Sequence, residues 1–514
     1  MMKLLSSILL FVCPLLLVTA AIFVKRPPKP RTVAILVLGD IGRSPRMMYH
    51  TESFAQLGFK TFLIGYKGSK PALSLTSLPH VQLCYLPEPI ILVPFVLGAL
   101  LKITQQTISI LYVLLFSIPP PEFILVQNPP SIPTLALVQL VARIRGSKVI
   151  IDWHNLGFSL LALKLGRTHP FVRIAKRFEE TFGRSAYAHL FVTQAMRDHL
   201  MKEWKLVGLT AVLHDRPPSH FHRCLPAEIH ELFLRLGPSL TDPVLKEFLP
   251  TPNTPYATQF TTTRALGERA SYSDINMPKL RDDRVALVVS STSWTPDEDF
   301  SILLEALKIY EERAQQVNCN PGSHLIGRLP RIWMVITGKG PLRTAYMSDI
   351  ARLQQKWTFV RCTSLWLEVE DYPLLLGSAD LGICLHSSSS ALDLPMKVVD
   401  MFGCGLPVCA LDFRCLPELV KAGQNGLIFK DAKQLASQIE ALLLSFPDSP
   451  HLEALRSSLQ GVAKPYHLYS DQLSESTDWN WCSWADNWGY IVKPLVLRNE
   501  EQLNYISSAP VIHH

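Results

Sequence analysis

The sequence predicts an α/β protein in which two doubly wound, Rossmann-like domains follow an N-terminal transmembrane helix. Short apolar runs alternate with helix-like stretches over 32–225, and the same alternation returns over 283–462. The chain has 514 residues, which is too long for one hydrophobic core and suits two domains of ordinary size. A long apolar run near the start of the chain predicts the transmembrane helix.

That first apolar run covers 4–24 and is long enough to cross a bilayer of about 30 Å. Basic residues are concentrated just after it, at Lys25, Arg26, Lys29 and Arg31. The positive-inside rule therefore leaves the rest of the chain in the cytosol, behind a single-pass anchor within 1–31. A cleaved secretory signal is the alternative. It fits less well because the run is longer than a usual signal core and a basic, proline-containing stretch follows it.

The composition argues against several classes of function. The formal net charge of +7 is spread along the chain, without a basic run interleaved with aromatic residues, so nucleic-acid binding is not expected. The ten cysteines are scattered without metal-ligand spacing, so neither a metal site nor a disulfide framework is expected. Gly39 and Gly42 lack the third glycine of a dinucleotide fingerprint, which argues against a nicotinamide cofactor.

The first domain opens with the apolar run 32–39, which is typical of a buried parallel strand. Within the same domain, 90–118 is very apolar but is interrupted by Pro94, Lys102 and a polar stretch. We predict a membrane-dipping or interfacial helix there, and a pair of core helices is the alternative. The stretch 226–282 is rich in proline and threonine, and we interpret it as a linker with a flexible insertion at 250–274.

In the second domain, the stretch 387–407 combines residue types that suit a nucleotide-sugar site. Serine hydroxyls and backbone N–H groups at a helix start can hold a diphosphate, and Lys397 can neutralise its charge. Asp400 follows on the same short amphipathic segment, where its carboxylate can bind ribose hydroxyls. The alternatives are a solvated loop charge for Lys397 and a surface acid for Asp400.

With both domains placed, the chain resembles the GT-B glycosyltransferases, in which two Rossmann-like domains face each other across a cleft. Within that fold it is similar to the β-mannosyltransferase family of the dolichol pathway. The resemblance extends from the anchor to about residue 462. The segments that carry it are Gly-Asp-Ile-Gly-Arg-Ser-Pro-Arg-Met (39–47), Gln-Asn-Pro-Pro (127–130), Ile-Asp-Trp-His-Asn (151–155), Ser-Ser-Thr-Ser-Trp-Thr (290–295), Asp-Glu-Asp-Phe (297–300), Thr-Gly-Lys-Gly-Pro-Leu (337–342) and the run 393–404.

The resemblance implies an enzyme on the cytosolic face of the endoplasmic reticulum membrane. It implies transfer of mannose from GDP-mannose to GlcNAc2-PP-dolichol, with a β1,4 link formed by inversion and no cofactor. It also implies partnership with other mannosyltransferases of the pathway. Two alternatives stay open: a GT-B enzyme that uses another nucleotide sugar, and a non-catalytic membrane scaffold that retains the fold.

Inversion in a single displacement requires a base in the first domain. Asp40 follows the first strand at its carboxyl end, where open α/β sheets bind ligands, and is one candidate. Its alternative role is to bond Arg43 or to cap the next helix. His154 is the second candidate, and Asp152 would orient it. Arg43 and Arg46 are expected to hold the acceptor diphosphate.

Positive groups in the second domain must stabilise the departing GDP. Related GT-B enzymes carry a basic residue in the first loop of this domain, but the corresponding loop here, 295–299, is acidic. The role of binding the donor diphosphate therefore falls to Lys339 and Lys397. The expected donor-binding residues are Ser291, Thr292, Ser293, Lys339, Asp393, Lys397 and Asp400. Asp393 and Asp400 are separated by one residue fewer than the two glutamates of the usual Glu-x7-Glu motif. Whether Asp393 contacts the donor sugar therefore stays open.

The acidic run 297–299 could be mistaken for a metal-binding Asp-x-Asp motif. We interpret it instead as a helix start in which Thr295 caps and Glu298 completes a capping box, so no catalytic metal is predicted. The tail 463–514 departs from the family pattern. Its closing residues at Trp484, Trp488, Pro494 and Leu495 predict a helix that returns to the first domain.

Overall fold

The computed structural model describes residues 28–88, 95–218, 220–263, 277–295, 298–319, 328–387, 392–459 and 482–497, with isolated positions at 16, 18 and 19. It forms two compact units: unit 1 takes in the chain up to Asp215 and from Trp484 onward, and unit 2 spans Arg216–Ser483. The anchor expected at 4–24 lies outside the described residues, apart from those isolated positions. Among the residues that are described, no helix has the length and apolar character needed to cross a bilayer.

Unit 1 is built on a seven-stranded parallel sheet with the order β3-β2-β1-β4-β5-β6-β7. The inner strands are continuous apolar runs, as burial on both faces requires; Ile35, Leu125 and Ile150 are fully buried. The strands are β1 (Lys29–Asp40), β2 (Lys60–Tyr66), β3 (Val81–Leu86), β4 (Pro121–Asn128), β5 (Lys148–Trp153), β6 (Ser185–Phe191) and β7 (Val207–Val212).

Within the described residues, seven α-helices connect these strands, as the predicted alternation requires. Proline at the first helical position and a side-chain cap mark several of the starts; for example, Thr193 Oγ1 accepts the Met196 N–H at 3.0 Å. The helices are α1 (Pro45–Gln56), α2 (Leu73–Thr76), α3 (Phe95–Tyr112), α4 (Thr134–Arg145), α5 (Gly157–Leu165), α6 (Pro170–Gly183) and α7 (Gln194–Trp204).

The apolar segment predicted at 90–118 forms the single helix α3 and a following π turn, Val113–Ser117. One face is buried through Ile110, Leu111 and Leu114, whereas Tyr112 and Phe116 are exposed. The polar interruption is accommodated inside the protein, because buried Gln106 donates from Nε2 to the Tyr66 hydroxyl at 2.8 Å. The described part is therefore one half-buried helix rather than a core pair, and its entry into a membrane stays a prediction.

Unit 2 contains a six-stranded parallel sheet with the order β12-β11-β10-β13-β14-β15 and a short antiparallel pair, β8 and β9. Its strands are β8 (Thr261–Thr262), β9 (Lys279–Leu280), β10 (Ala286–Ser291), β11 (Ile332–Thr337), β12 (Val360–Leu365), β13 (Leu381–Cys384), β14 (Val408–Leu411) and β15 (Gly426–Phe429). Its helices are α8 (Pro226–Leu236), α9 (Pro243–Phe248), α10 (Phe300–Cys319), α11 (Arg343–Gln354), α12 (Asp371–Ser378), α13 (Met396–Gly403), α14 (Ala432–Leu443) and α15 (Pro450–Leu459).

The stretch 226–282, which the sequence predicts to be a linker, is instead part of unit 2. Helices α8 and α9 and the strands β8 and β9 lie in this stretch and belong to unit 2. Phe233 of α8 packs against Phe260 with ring centroids 4.4 Å apart, and Phe260 stacks on Trp333 of β11 at 5.9 Å. The stretch is thus anchored by aromatic packing on the core of unit 2. Of the expected insertion at 250–274, the part 264–274 lies outside the described residues.

The last described helix, α16 (Trp484–Leu497), belongs to unit 1, in agreement with the predicted return to the first domain. Trp484, Trp488 and Leu495 are buried in the core of that unit. Trp484 Nε1 also donates to Ser53 Oγ of α1 at 3.0 Å. The rest of the tail, at 463–481 and 498–514, lies outside the described residues.

Candidate active site

A buried ionic cluster lies beneath the carboxyl end of β5 in unit 1. Arg46 of α1 donates to both carboxylate oxygens of Asp152, at 2.8 and 2.9 Å, and to Asp215 at 2.7 Å. Burial opposes the charge of Arg46, but the two carboxylates outweigh it and raise its pKa. Arg46 is only 3% exposed, so direct contact with an acceptor diphosphate is not supported. It holds Asp152 instead.

His154 is half-buried and is more exposed than Asp152, Arg46 and Asp215. Its Nε2 lies 2.8 Å from Asp152 Oδ2, and its side chain is 22% exposed. Burial would raise the pKa of Asp152, but the charge of Arg46 and the histidine hydrogen bonds hold it well below its usual value. Because Asp152 is therefore an ionised acceptor, Nε2 of His154 carries the hydrogen. The other ring nitrogen, Nδ1, is left as a proton acceptor.

A second histidine supports the same carboxylate from the interior. Trp488 Nε1, which can only donate, lies 2.9 Å from His50 Nδ1. His50 must therefore carry its hydrogen on Nε2, which lies 3.2 Å from Asp152 Oδ2. Burial lowers the pKa of His50, so this ring is neutral. The sequence alone did not single out His50.

The loop that carries His154 is fixed by the Gln-Asn-Pro-Pro segment. The backbone N–H of His154 donates to the carbonyl of Asn128 at 2.9 Å. The Asn128 side chain in turn donates to the buried carboxylate of Glu179 at 2.5 Å. These bonds explain why polar residues follow two neighbouring strands, β4 and β5, and they position the histidine at the sheet edge where ligands bind in open α/β folds.

Asp40 has the structural role that was its alternative. Its carboxylate accepts the Gly42 N–H and the backbone N–H and hydroxyl of Ser69, each at 2.9 Å. Burial acts in the opposite direction, but these bonds lower the pKa of Asp40 below its ordinary value. A carboxylate stabilised in this way is a weak base. Arg43 lies 3.6 Å away, and its side chain is 81% exposed, which keeps it available to an anionic ligand.

In unit 2, two loops meet at the carboxyl ends of β10 and β11. The first carries Thr292 and Ser293, and the second is the Gly-Lys-Gly segment. A Cβ at Gly338 would lie 1.8 Å from the Thr292 carbonyl oxygen, and one at Gly340 would lie 1.8 Å from that of Ser293. Only glycine permits this approach. Lys339 lies between the two glycines, with Nζ 3.6 Å from the centroid of the Trp366 ring.

Glu298 organises this loop and was not assigned a site role from the sequence. It is 3% exposed, accepts the Ser293 N–H at 2.9 Å and the Thr292 hydroxyl, and pairs with the ammonium of Lys397. The predicted capping box is wrong in this respect, because Glu298 faces the loop. Helix α10 begins at Phe300, and Asp299 Oδ1 accepts the Ser301 N–H at 2.9 Å. The sequence feature that could have revealed this role is the acidic run 297–299 beside the donor loop, because a lysine in a buried site needs a counter-charge.

The remaining predicted donor-binding residues lie around Tyr372 and His386. The buried Tyr372 hydroxyl is 3.1 Å from Ser291 Oγ. Burial raises the pKa of Tyr372, and the charge of Asp400 acts in the same direction. The Asp393 carboxylate lies 3.8 Å from His386 Nε2. Unit 2 therefore gathers Thr292, Ser293 and Lys397 around Glu298, and places Ser291 beside Tyr372.

Comparison with known proteins agrees with this architecture. The family model described as glycosyl transferases group 1 matches residues 285–445. A solved sucrose-phosphate synthase from Thermosynechococcus elongatus has a TM-score of 0.53 at 13% identity, covering 94% of this chain and all of that one. Two parallel-sheet α/β units and this likeness show the GT-B fold.

Relatives with much higher sequence identity to this chain identify its family. The human chitobiosyldiphosphodolichol beta-mannosyltransferase is 41% identical over 497 residues, which cover 95% of this chain and 98% of the relative. The UDP-glycosyltransferase TURAN of Arabidopsis thaliana is 40% identical over 484 residues, covering 91% and 98% respectively. The chain belongs to the chitobiosyldiphosphodolichol beta-mannosyltransferase family.

Proposed function

We propose that this chain transfers mannose from GDP-mannose to GlcNAc2-PP-dolichol and forms a β1,4 link with inversion. The observation that carries the proposal is the similarity, over nearly the whole chain, to a human relative whose name specifies a mannosyl transfer and this acceptor. The name of the Arabidopsis relative favours a second candidate, a transferase that uses a UDP-sugar. Donor identity is therefore the first point to test.

In this proposal His154 is the base. The acceptor hydroxyl attacks the anomeric carbon, the bond from that carbon to the diphosphate oxygen breaks, and GDP departs with the bonding electrons. The hydroxyl proton passes to His154 Nδ1, and the ionised Asp152, 2.8 Å from Nε2, stabilises the imidazolium that forms. Arg43, which is exposed near the end of β1, is the residue that we assign to the acceptor diphosphate.

The donor is assigned to unit 2. Lys397 and Lys339 supply positive charge to the diphosphate, and the hydroxyls and backbone N–H groups of 291–293 supply hydrogen bonds. Because Lys397 is paired with Glu298, the incoming diphosphate must share this lysine with a buried carboxylate. Asp400 is the proposed ribose ligand and Asp393 a proposed sugar ligand. No metal ion or cofactor takes part in this scheme.

The proposal places the enzyme at the endoplasmic reticulum membrane, anchored through 4–24 with both units in the cytosol. A dolichol-linked acceptor supports a membrane location, and the basic residues at 25–31 support the orientation. Other mannosyltransferases of the pathway are the proposed partners. Protease protection of tagged chains in sealed microsomes tests the orientation, since cytosolic units are digested without detergent.

Two experiments test the reaction. GDP-mannose should raise the melting temperature of the purified chain, whereas UDP-N-acetylglucosamine and UDP-glucose should not. Labelled mannose should then pass from GDP-mannose to a synthetic chitobiosyl-diphosphate lipid, and a β-mannosidase should release it. Stabilisation by a UDP-sugar alone would favour the second candidate. Donor binding without transfer, in a folded chain, would favour a non-catalytic scaffold.

A further inference from the structure

An exposed surface that the reaction does not use lies on α5 and α6 of unit 1. We call the stretch 157–178 the basic hairpin. Four large apolar side chains of the hairpin are exposed to solvent: Leu160 (37%), Leu163 (65%), Phe171 (52%) and Ile174 (60%). Single exposed apolar residues are ordinary, but four on one helical hairpin indicate a surface that is covered in the working protein.

The same hairpin is strongly basic. It contains five lysine and arginine residues: Lys164, Arg167, Arg173, Lys176 and Arg177. The acidic residues of α6 follow at its end, where Glu179 is buried and Glu180 is half-buried. Among the described residues none of these five forms a salt bridge, and all five are exposed. Lys176 Nζ lies 5.6 Å from the centroid of the Phe158 ring within the hairpin. Positive charge without a carboxylate partner among the described residues is therefore presented to solvent together with the apolar side chains.

The hairpin is held firmly on its other side, so the apolar side chains cannot simply turn inward. Helix α6 buries Val172, Ala175 and Glu179 at helical spacing. The Glu179 carboxylate accepts the Gly157 N–H at 2.9 Å and the Phe158 N–H at 3.2 Å, which ties the end of α6 to the start of α5. The exposed face is thus a fixed feature of unit 1.

We propose that the basic hairpin lies in the headgroup layer of a membrane that contains anionic lipids. Interleaved cations and large apolar side chains on one helical face are typical of interfacial helices, and juxtamembrane lysines and arginines are attracted to anionic headgroups. Gly157 follows His154 by three residues, so this contact holds the loop of the candidate base close to the lipid surface. The inference goes beyond the proposed reaction and stands independently of the sugar transferred.

The test is hydrogen–deuterium exchange of the full chain in nanodiscs of phosphatidylcholine alone or with about one third phosphatidylserine. Peptides that cover 157–178 should exchange about fivefold more slowly in the anionic discs, the effect of one cation meeting an anionic surface. Two double variants should each remove this difference: Leu163→Glu with Ile174→Glu, and Arg173→Glu with Arg177→Glu. The matched control is Val369→Glu, since Val369 of unit 2 is 82% exposed.

Exchange that is equal in both kinds of disc would overturn the lipid assignment, and so would protection that persists in both double variants. Protection that appears only when a second protein is added would also overturn it, because the surface would then bind a protein partner. Failure of mannose transfer has no bearing on this readout, which separates the inference from the proposed function.

Discussion

The Nε2 atom of His154 lies 2.8 Å from Oδ2 of Asp152, and that carboxylate is buried, ionised and also bonded to Arg46 and His50. The arrangement fixes the tautomer of His154 and directs its unprotonated nitrogen, Nδ1, away from the carboxylate. Asp40, in contrast, already accepts three hydrogen bonds that stabilise its ionised form. His154 can therefore accept a proton at Nδ1, whereas the hydrogen bonds to Asp40 make its carboxylate a weaker base.

Replacing Trp488 by phenylalanine should lower the free energy of unfolding by at least about 1 kcal/mol, because His50 Nδ1 loses its donor and the smaller ring leaves part of the buried site unfilled. The measurement is chemical denaturation of the full chain. Trp366→Phe is the matched control and should cost less, since Trp366 is 61% exposed. Equal losses in the two variants would show that the Trp488–His50 bond is not a stabilising contact.

Replacing Lys397 by alanine should weaken GDP binding about tenfold or more, because a charge-assisted contact to the diphosphate is removed. Isothermal titration with GDP measures this. Lys433→Ala changes the net charge of unit 2 in the same way at an exposed position of α14 and should leave the affinity unchanged. An unaltered affinity in Lys397→Ala would remove this lysine from the donor site.

Replacing Gly338 by alanine should displace the loop at 291–293 and abolish measurable GDP binding. Its φ of +120° is a conformation that alanine rarely adopts, and the new Cβ would collide with the Thr292 carbonyl oxygen. Gly489→Ala is the control, because that helical glycine has open space around it and the change should be neutral or slightly stabilising. Titration with GDP distinguishes the two, and normal binding by Gly338→Ala would refute the close packing of the loops.

Acid should destabilise unit 1 through its buried histidines. Burial lowers the pKa of His189 to about 4 from its ordinary 6.5. Below pH 6.5 the unfolded chain therefore binds a proton that the folded chain does not, and the free energy of unfolding falls as the pH drops from 6.5 toward 4. His50 acts in the same direction.

Urea denaturation at several pH values across this range measures the slope. His189→Gln can keep hydrogen bonds to Trp153 and Val207 but does not titrate, so its slope should be shallower by up to about 1.4 kcal/mol per pH unit. If the wild type and His189→Gln lose stability equally between pH 6.5 and 4, His189 is not the titrating group.

The strands were predictable from the sequence because each is a continuous apolar run with polar or glycine punctuation. The run at 32–39 lies within β1, and the apolar run that begins at Lys148 forms β5. The helices of 226–248 were missed because the proline- and threonine-rich composition of 250–263 was taken to describe the whole of 226–282. Their apolar residues nevertheless recur at helical spacing, as Ile229, Leu232 and Phe233 show.

The site was predictable only where the chemistry is local. Asp152 and His154 are two residues apart, so their pairing follows from the end of a single strand. The roles of Glu298 and His50 depend on tertiary contacts: Lys397 lies 99 positions from Glu298, and Trp488 lies 438 positions from His50. No local pattern specifies which distant side chains meet.

The central claim, that His154 is the base, is tested most directly by the rate of mannose transfer in His154→Ala and Asp40→Asn. His154→Ala should lose about a hundredfold to ten-thousandfold in rate. Asp40→Asn should stay within about tenfold of the wild-type rate, since it loses only stabilising hydrogen bonds. An Asp40→Asn chain that is folded but inactive, beside a nearly active His154→Ala, would contradict the assignment.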